Sequence, residues 1–310
     1  MFGVHISKHA ITGDFVDIAD AIDAVVSKYD LSACQIFTHG PKSRSKNKYD
    51  ATAIRALDKA NIYVHSTYLT DGYWGAVESA IARGGRPNIT PAIKQYHKHI
   101  QDQLDATKEI GGVGLVIHVT RKPITIIKKG ADLLAAAIDQ PSSVVLIFEF
   151  TAMRPGEDSY ESVKQINALA DALRSCKLNW KFCIDTSHLW ATGLDVSNIT
   201  IFTKWLHGLK CANRIALIHL NASSKSTFGT GKDVHIVPFA PEDDIWGSKL
   251  SSHKFSQLTA GDFANIEKST LGLLLRWAKK NKITVLGEFK RGTTHQLDFA
   301  IAVVKHLLRR

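Results

Sequence analysis

Short apolar runs recur along the chain, each followed by a polar loop and a longer stretch in which apolar positions return every three to four residues. The runs predict strands at Phe2–Ser7, Cys34–Thr38, Ile62–His65, Leu115–Val119, Val144–Phe150, Lys181–Asp185, Ile215–Leu220 and Ile283–Phe289. They are rich in Val, Ile and Phe without strict alternation, as expected of strands covered on both faces. Between them, Phe15–Lys28 sets Ile18, Ala21, Ile22 and Val25 on one helical stripe. Pro91–Ile110 opens with Thr90 as N-cap and Pro91 at the first helical position, and closes at Gly111-Gly112. Ser159–Ser175, Phe202–Leu209, Phe263–Lys280 and His295–Leu308 carry the same helical signature.

Eight strands, each followed by a helix, predict an α/β chain folded as a single (β/α)8 TIM barrel over residues 1–310. An open doubly wound sheet is the alternative. Two connections are long: Thr70–Thr90 after strand 3 and Asn221–Ala260 after strand 7. Loops of that length in a compact domain usually serve function, and both lie on the C-terminal side of their strands, where barrel active sites are built.

Composition narrows the class. Of 310 residues, 45% are hydrophobic and 22% charged, values of an ordinary globular chain. No apolar run approaches the roughly 20 residues of a membrane span, and the first residues lack the basic and apolar regions of a signal peptide. Four cysteines, Cys34, Cys176, Cys183 and Cys211, form no CxxC motif and are too few for a disulfide framework. Reduced core thiols in an intracellular protein, cytoplasmic or nuclear, are expected. The net charge of +10 points to an anionic partner, of which nucleic acid is the commonest.

The chemistry lies where the strands finish. Strand 3 ends in His65, strand 4 carries His118, strand 5 ends with Glu149 beside Phe150, and strand 6 ends in Asp185 with His188 three residues on. Strand 7 reaches His219 and strand 8 reaches Glu288. With only 29 Asp+Glu and 14 His in the chain, six such ends out of eight far exceed chance placement. Ionisable groups directly after apolar runs are costly to bury unless paired or metal-bound. Asp233-Val234-His235 adds two more on one side of an extended segment. Nine residues of ligand type exceed what one ion accepts and imply two or three metals sharing a carboxylate. Imidazole with carboxylate suits Zn²⁺ or Mn²⁺ better than Mg²⁺ or Ca²⁺.

At these residues the sequence resembles the endonuclease IV family of AP endonucleases. The resemblance runs through Gly3-Val4-His5-Ile6-Ser7, Tyr63-Val64-His65-Ser66-Thr67-Tyr68-Leu69, Cys183-Ile184-Asp185-Thr186-Ser187-His188, His219-Leu220-Asn221, Asp233-Val234-His235 and Gly287-Glu288. It spans nearly the whole chain in family order. His-Ser-Thr-Tyr-Leu and Asp-Thr-Ser-His-Leu-Trp are similar to the versions carried by large DNA viruses, for which packaging in a virion would be an added location.

The resemblance implies three zinc ions, with Mn²⁺ an alternative at one site. His65, His118 and Glu149 would hold the first. Glu149 would bridge to a second held also by Asp185, His219 and Glu288, and His188, Asp233 and His235 would hold the third. It implies hydrolysis 5′ of abasic sites in double-stranded DNA by a monomer, with Glu149 and Glu288 catalytic. Tyr68 would fill the gap left by an extruded abasic nucleotide, and Lys42 and Arg44 would contact DNA from the loop after strand 2. Arg83, Arg86, Arg121, Lys122, Lys225 and Arg291 are further basic candidates near the mouth, and Trp74 and Trp246 could stack on DNA or pin the two long loops. The chain departs from the family pattern at Ala222, Val234, Ile236-Val237-Pro238-Phe239 and Phe150, none of which is among the nine ligands. A metal-dependent sugar isomerase or epimerase is the alternative enzyme, and a DNA-binding protein without catalysis the alternative from another class.

Overall fold

The computed structural model describes residues 1–7, 9–10, 13–14, 17–84, 90–156, 158–247, 250, 253–289 and 293–309. Eight strands run parallel and close on themselves in chain order. They are β1 (Phe2–His5), β2 (Ala33–Ile36), β3 (Asn61–His65), β4 (Gly114–Val119), β5 (Val145–Phe150), β6 (Trp180–Asp185), β7 (Ile215–Leu220) and β8 (Thr284–Gly287). β1 pairs with β2 through Gly3 and Ala33 and with β8 through Gly3 and Leu286, which closes the ring and excludes the open sheet. A separate two-stranded antiparallel sheet pairs His9–Ala10 with Gly13–Asp14.

Seven side chains, Ala33, Tyr63, Val116, Ile147, Cys183, Leu217 and Leu286, pack against one another as the buried plug of the barrel interior. They come from seven different strands, as in the filled interior of such barrels. β1 contributes Gly3 at this level because nothing larger fits: a Cβ there would stand 2.0 Å from the Ala33 carbonyl oxygen. Side chains alternate along a strand, so the residue two further on from each plug member also points inward. Those residues are His5, Gln35, His65, His118, Glu149, Asp185, His219 and Glu288. The apolar plug and the polar ring above it are consecutive layers of the same strands.

The outer layer follows the stripes in the sequence. Helix α1 (Ile18–Tyr29) buries Ile18, Ala21, Ile22 and Val25, and Asp17 caps it by accepting from Ala19 N at 2.7 Å. Short α2 (Ala51–Ala56) follows β2. The connection after β3 is not one long loop, because Tyr73–Ala82 forms helix α3. Its buried face, Tyr73, Trp74, Val77 and Ala80, sits on the barrel, and Gly72 and Gly75 interrupt the sequence signal at its start. Helices α4 (Pro91–Glu109), α5 (Ile124–Ala137) and α6 (Val163–Ala172) complete the first half, with a 3-10 turn over Leu173–Ser175. Helix α7 (Thr186–Ala191) directly continues β6, and α8 (Ile199–Gly208) follows.

The segment expected as one helix over Phe263–Lys280 is two, α9 (Ala260–Lys268) and α10 (Thr270–Lys280). Ser269 divides them: it adopts extended backbone and its hydroxyl accepts from Gly272 N at 3.3 Å to cap the second helix. Helix α11 (Thr294–Arg309) closes the outer layer. Among the described residues no helix is long and apolar enough to cross a membrane, and all four cysteines are buried and free.

Candidate metal centre

The polar ring at the C-terminal end of the strands gathers eight of the nine residues of ligand type into a buried cluster, with Asp233 at its more exposed edge. Among these nine residues, three sets have donor atoms within 4.8 Å of one another: His65, His118 and Glu149; Glu149, Asp185, His219 and Glu288; and Asp185, His188 and His235. Glu149 joins the first two, and Asp185 joins the second and third. Asp233 lies beside the third set, its Oδ1 2.8 Å from His235 Nε2 and 3.5 Å from His188 Nε2.

Four imidazoles are fixed through one nitrogen and turn the other toward the carboxylates. His65 Nδ1 donates to the Ser66 carbonyl at 2.7 Å, and its Nε2 faces Glu149 Oε2 at 3.4 Å. His188 Nδ1 donates to the Phe150 carbonyl at 2.8 Å, leaving Nε2 toward Asp233. His118 meets Asp71 Oδ1 through Nδ1 at 3.2 Å and Glu149 Oε2 through Nε2 at 3.6 Å. His219 Nε2 donates to Gln35 Oε1 at 3.0 Å, and Nδ1 lies 3.0 Å from Glu149 Oε1. A ring nitrogen fixed by a carbonyl or carboxylate is the usual outer support of a metal-binding histidine.

The electrostatics follow from packing carboxylates and imidazoles together. Burial opposes ionisation of Glu149, yet His219, His65 and His118 outweigh it and hold the carboxyl well below its ordinary range. Burial likewise works against the Glu288 carboxylate, but His219, His235 and His65 bring it down to about 2 despite Glu149. For His188, burial disfavours the charge while Asp185, Asp233 and Glu149 raise its pKa to about 10. His219 and His118 also rise against burial, the former beside Cys183, Glu149 and Glu288, the latter beside Asp71 and Glu149.

Several donor atoms stand beside ionisable neighbours without a well-formed hydrogen bond. Glu149 Oε2, 3.4 Å from His65 Nε2, and both ring nitrogens of His235, the Nε2 2.8 Å from Asp233 Oδ1, are buried in this way. Buried polar atoms are normally satisfied, and buried carboxylate and imidazole donors close together without full hydrogen bonds fit a cation-binding centre. The donors are imidazole and carboxylate, the mixture suited to zinc or manganese.

Sequence reasoning missed three supports. Gln35 on β2 is fully buried, bonds Glu288 Oε1 through Nε2 and holds His219 through its carbonyl. His5 ends β1, 3.2 Å from Gln35 Nε2 and 3.9 Å from Glu288 Oε1. Asp71 enters from the 3-10 turn Tyr68–Gly72 to meet His118. The eight strands thus each deliver one polar side chain to the ring.

Of the rim candidates, Tyr68 reaches this centre. Tyr68 is half-buried, its ring 5.9 Å from His65 and 5.6 Å from His118, and its backbone N–H donates to Pro41 O at 2.9 Å. That bond joins it to the loop carrying Lys42 and Arg44, both exposed. Arg83, Arg121 and Lys225 are exposed, Lys122 is paired with Glu78 at 2.5 Å, and Arg86 and Arg291 lie outside the described residues.

Trp74 and Trp246 are not free to stack on DNA. Trp74 is fully buried and donates to the His118 carbonyl at 2.8 Å, and Trp246 is buried and donates to the Asn221 carbonyl at 2.9 Å. The departures near the centre are packed inward too. Ala222 and Ile236 pair backbone to backbone, and Phe150 stacks on Tyr160 with ring centroids 5.3 Å apart. Asp243 ties the turn after Phe239 by accepting from the backbone N–H groups of Phe239, Ile245 and Trp246.

Residues 24–244 match the model of the xylose isomerase-like TIM barrel family, and the chain belongs to that family. The relatives it is similar to include proteins named AP endonuclease and endonuclease 4. A "Probable AP endonuclease" of African swine fever virus (isolate Pig/Kenya/KEN-50/1950) is 25% identical over 329 residues, covering 100% of this chain and 99% of the relative. A "Probable endonuclease 4" of Mesomycoplasma hyopneumoniae (strain 7448) is 28% identical over 217 residues, 66% of this chain and 71% of the relative. Among solved structures, AsfvAP:AG superposes with a TM-score of 0.78 at 23% identity, covering 99% of each chain. Endonuclease IV from Thermus thermophilus gives 0.66 at 20% identity, over 99% of this chain and 98% of that one. A D-tagatose 3-epimerase-like protein gives 0.58 at 11% identity, covering 99% of this chain and 97% of that one, so the structural likeness speaks for the barrel and not for one reaction.

Proposed function

We propose that the chain is a zinc-dependent AP endonuclease that hydrolyses the phosphodiester 5′ of abasic sites in double-stranded DNA, leaving a 3′-hydroxyl and a 5′-deoxyribose phosphate. The observation that carries this reading is the chain of three overlapping donor sets linked by Glu149 and Asp185, on a chain whose full-length relatives bear the AP endonuclease name.

His65, His118 and Glu149 would hold one ion, and Glu149, Asp185, His219 and Glu288 a second. His188, Asp233 and His235, with Asp185 in reach, would hold a third, and Mn²⁺ could replace zinc at one of them. When bound, such ions lower the pKa of water and neutralise charge on a phosphodiester undergoing in-line displacement. The protein's part is positional. Gln35 and His5 fix Glu288, while Asp71, the Ser66 carbonyl and the Phe150 carbonyl set the orientations of His118, His65 and His188.

Tyr68 stands at the mouth, where an aromatic ring can occupy the gap beside an extruded abasic nucleotide. Extruding a nucleotide without a base forfeits no stacking of its own, which favours such sites over intact ones. Lys42 and Arg44 lie on the adjoining loop to meet backbone phosphates without reading sequence.

The test is incision of a duplex carrying one tetrahydrofuran abasic analogue by wild type and Glu288→Gln, with elemental analysis of both preparations. A cut on the 5′ side leaving a 3′-hydroxyl, lost in the variant, is expected with three metals per chain. Three metals without a cut would move the reading to a sugar substrate. Neither metal nor cut would sink it.

A further inference from the structure

Beneath the polar ring, one member of the apolar plug carries a metal-binding atom of a different kind. Cys183 stands two residues before Asp185 on β6, so its thiol points into the barrel one layer below the Asp185 carboxylate. Its Sγ, one donor atom of Glu149 and one of His219 all lie within 4.8 Å of one another, and all three residues are fully buried. Within this set, Glu149 Oε1 lies 3.0 Å from His219 Nδ1. The other plug side chains are hydrocarbon apart from Tyr63, whose hydroxyl is turned to Thr284 Oγ1 at 3.1 Å. Among the described residues, Cys34, Cys176 and Cys211 belong to no cluster of this kind. Thiolate sulfur selects soft cations, whereas the nine ligands above the plug are nitrogen and oxygen donors.

We infer that Cys183, His219 and Glu149 form a fourth donor set, which takes a soft divalent cation of the cadmium class one layer below the three sets of the ring. The sulfur–metal bond forms as the thiol proton leaves to solvent, so one proton is released at sulfur for each cation bound. Glu149 and His219 serve both layers, so a cation seated on Cys183 withdraws two ligands from the ring. The inhibition that follows rests on the nuclease reading; the binding does not.

The experiment titrates the full chain, stripped with a chelator, with cadmium chloride and no DNA. A thiolate-to-cadmium charge-transfer band in the ultraviolet is expected to saturate at one cation per chain and to be absent in Cys183→Ser, while the variant still takes up zinc. Cadmium NMR of the wild type gives the same answer without a variant, through a resonance shifted downfield by sulfur ligation. No band in the wild type, a band of equal amplitude in Cys183→Ser, or a resonance typical of nitrogen and oxygen ligands alone overturns the inference. Incision is read separately. A wild type that shows the band but never cuts abasic DNA leaves the fourth donor set standing and removes the nuclease reading instead.

Discussion

The ring of ligands and the rim around it share one mouth but are built on different terms. Six of the nine ligands sit at or near the end of a strand, one inward position above the apolar plug, with His188 on α7 and Asp233 and His235 beyond β7 completing them, and side-chain or carbonyl partners fix them. The rim, by contrast, consists of loops and turns. Tyr68 is held through its backbone bond to Pro41, and Lys42 and Arg44 stand exposed beside it. Neighbouring strands fix the ring, whereas local turn geometry sets the rim. Perturbing the ring should therefore switch the chemistry off, and perturbing the rim should weaken binding in smaller steps.

The largest effect is expected from removing the ions. Chelation at pH 7 should abolish incision, and reloading should release protons. Although burial opposes its charge, His188 titrates near 10 beside Asp185, Asp233 and Glu149, so at pH 7 the ring is an imidazolium until a cation displaces its proton. Affinity for the ions should then fall as pH falls. Calorimetry of zinc loading in two buffers of different ionisation enthalpy measures the proton count, and a count of zero would break the comparison on the ring side.

Asp71→Asn comes next. Losing the carboxylate behind His118 Nδ1 should lower metal affinity or incision by about 10- to 100-fold, as for outer partners of metal ligands generally. Elemental analysis and initial rates decide it, and a variant equal to wild type would show that Asp71 belongs with the rim.

Tyr68→Ala should weaken binding to an abasic duplex about tenfold, within the range of removing one aromatic stacking partner. The cleavage rate at saturating DNA should change less than the affinity, which single-turnover kinetics separate. Lys42→Ala should be mildest, a small loss of affinity with a salt dependence shallower by about one counterion. An unchanged slope would remove Lys42 from the interface.

Most of the barrel was legible because its strands are buried on both faces and read as unbroken apolar runs. The six ligands at strand ends were legible for the same reason, since His65 or Glu149 after such a run has no bland place to go. Gln35 was hidden because it lies inside an apolar run and ahead of Ile36, so the expected end at Thr38 drew attention two positions too far. Asp71 and helix α3 were hidden by Gly72 and Gly75, which break the stripe at the point where a 3-10 turn carries Asp71 back to His118. The division at Ser269 escaped notice because a single capping hydroxyl outweighed a periodicity that ran through it. The rim carries little sequence signal, since an exposed lysine on a loop looks the same whether or not it meets a phosphate.

The ring takes its members from strands met in order along the chain, from His5 on β1 to Glu288 beyond β8, and no two neighbouring strands complete it. A growing polypeptide therefore possesses most of its ligands long before it possesses the centre. Until β8 has been made and has docked against β1, Glu288 is missing and the mouth is open on one side. On the nuclease reading, the complete set of nine ligands exists only once the barrel has closed, although the set of His65, His118 and Glu149 needs no more than β3 to β5.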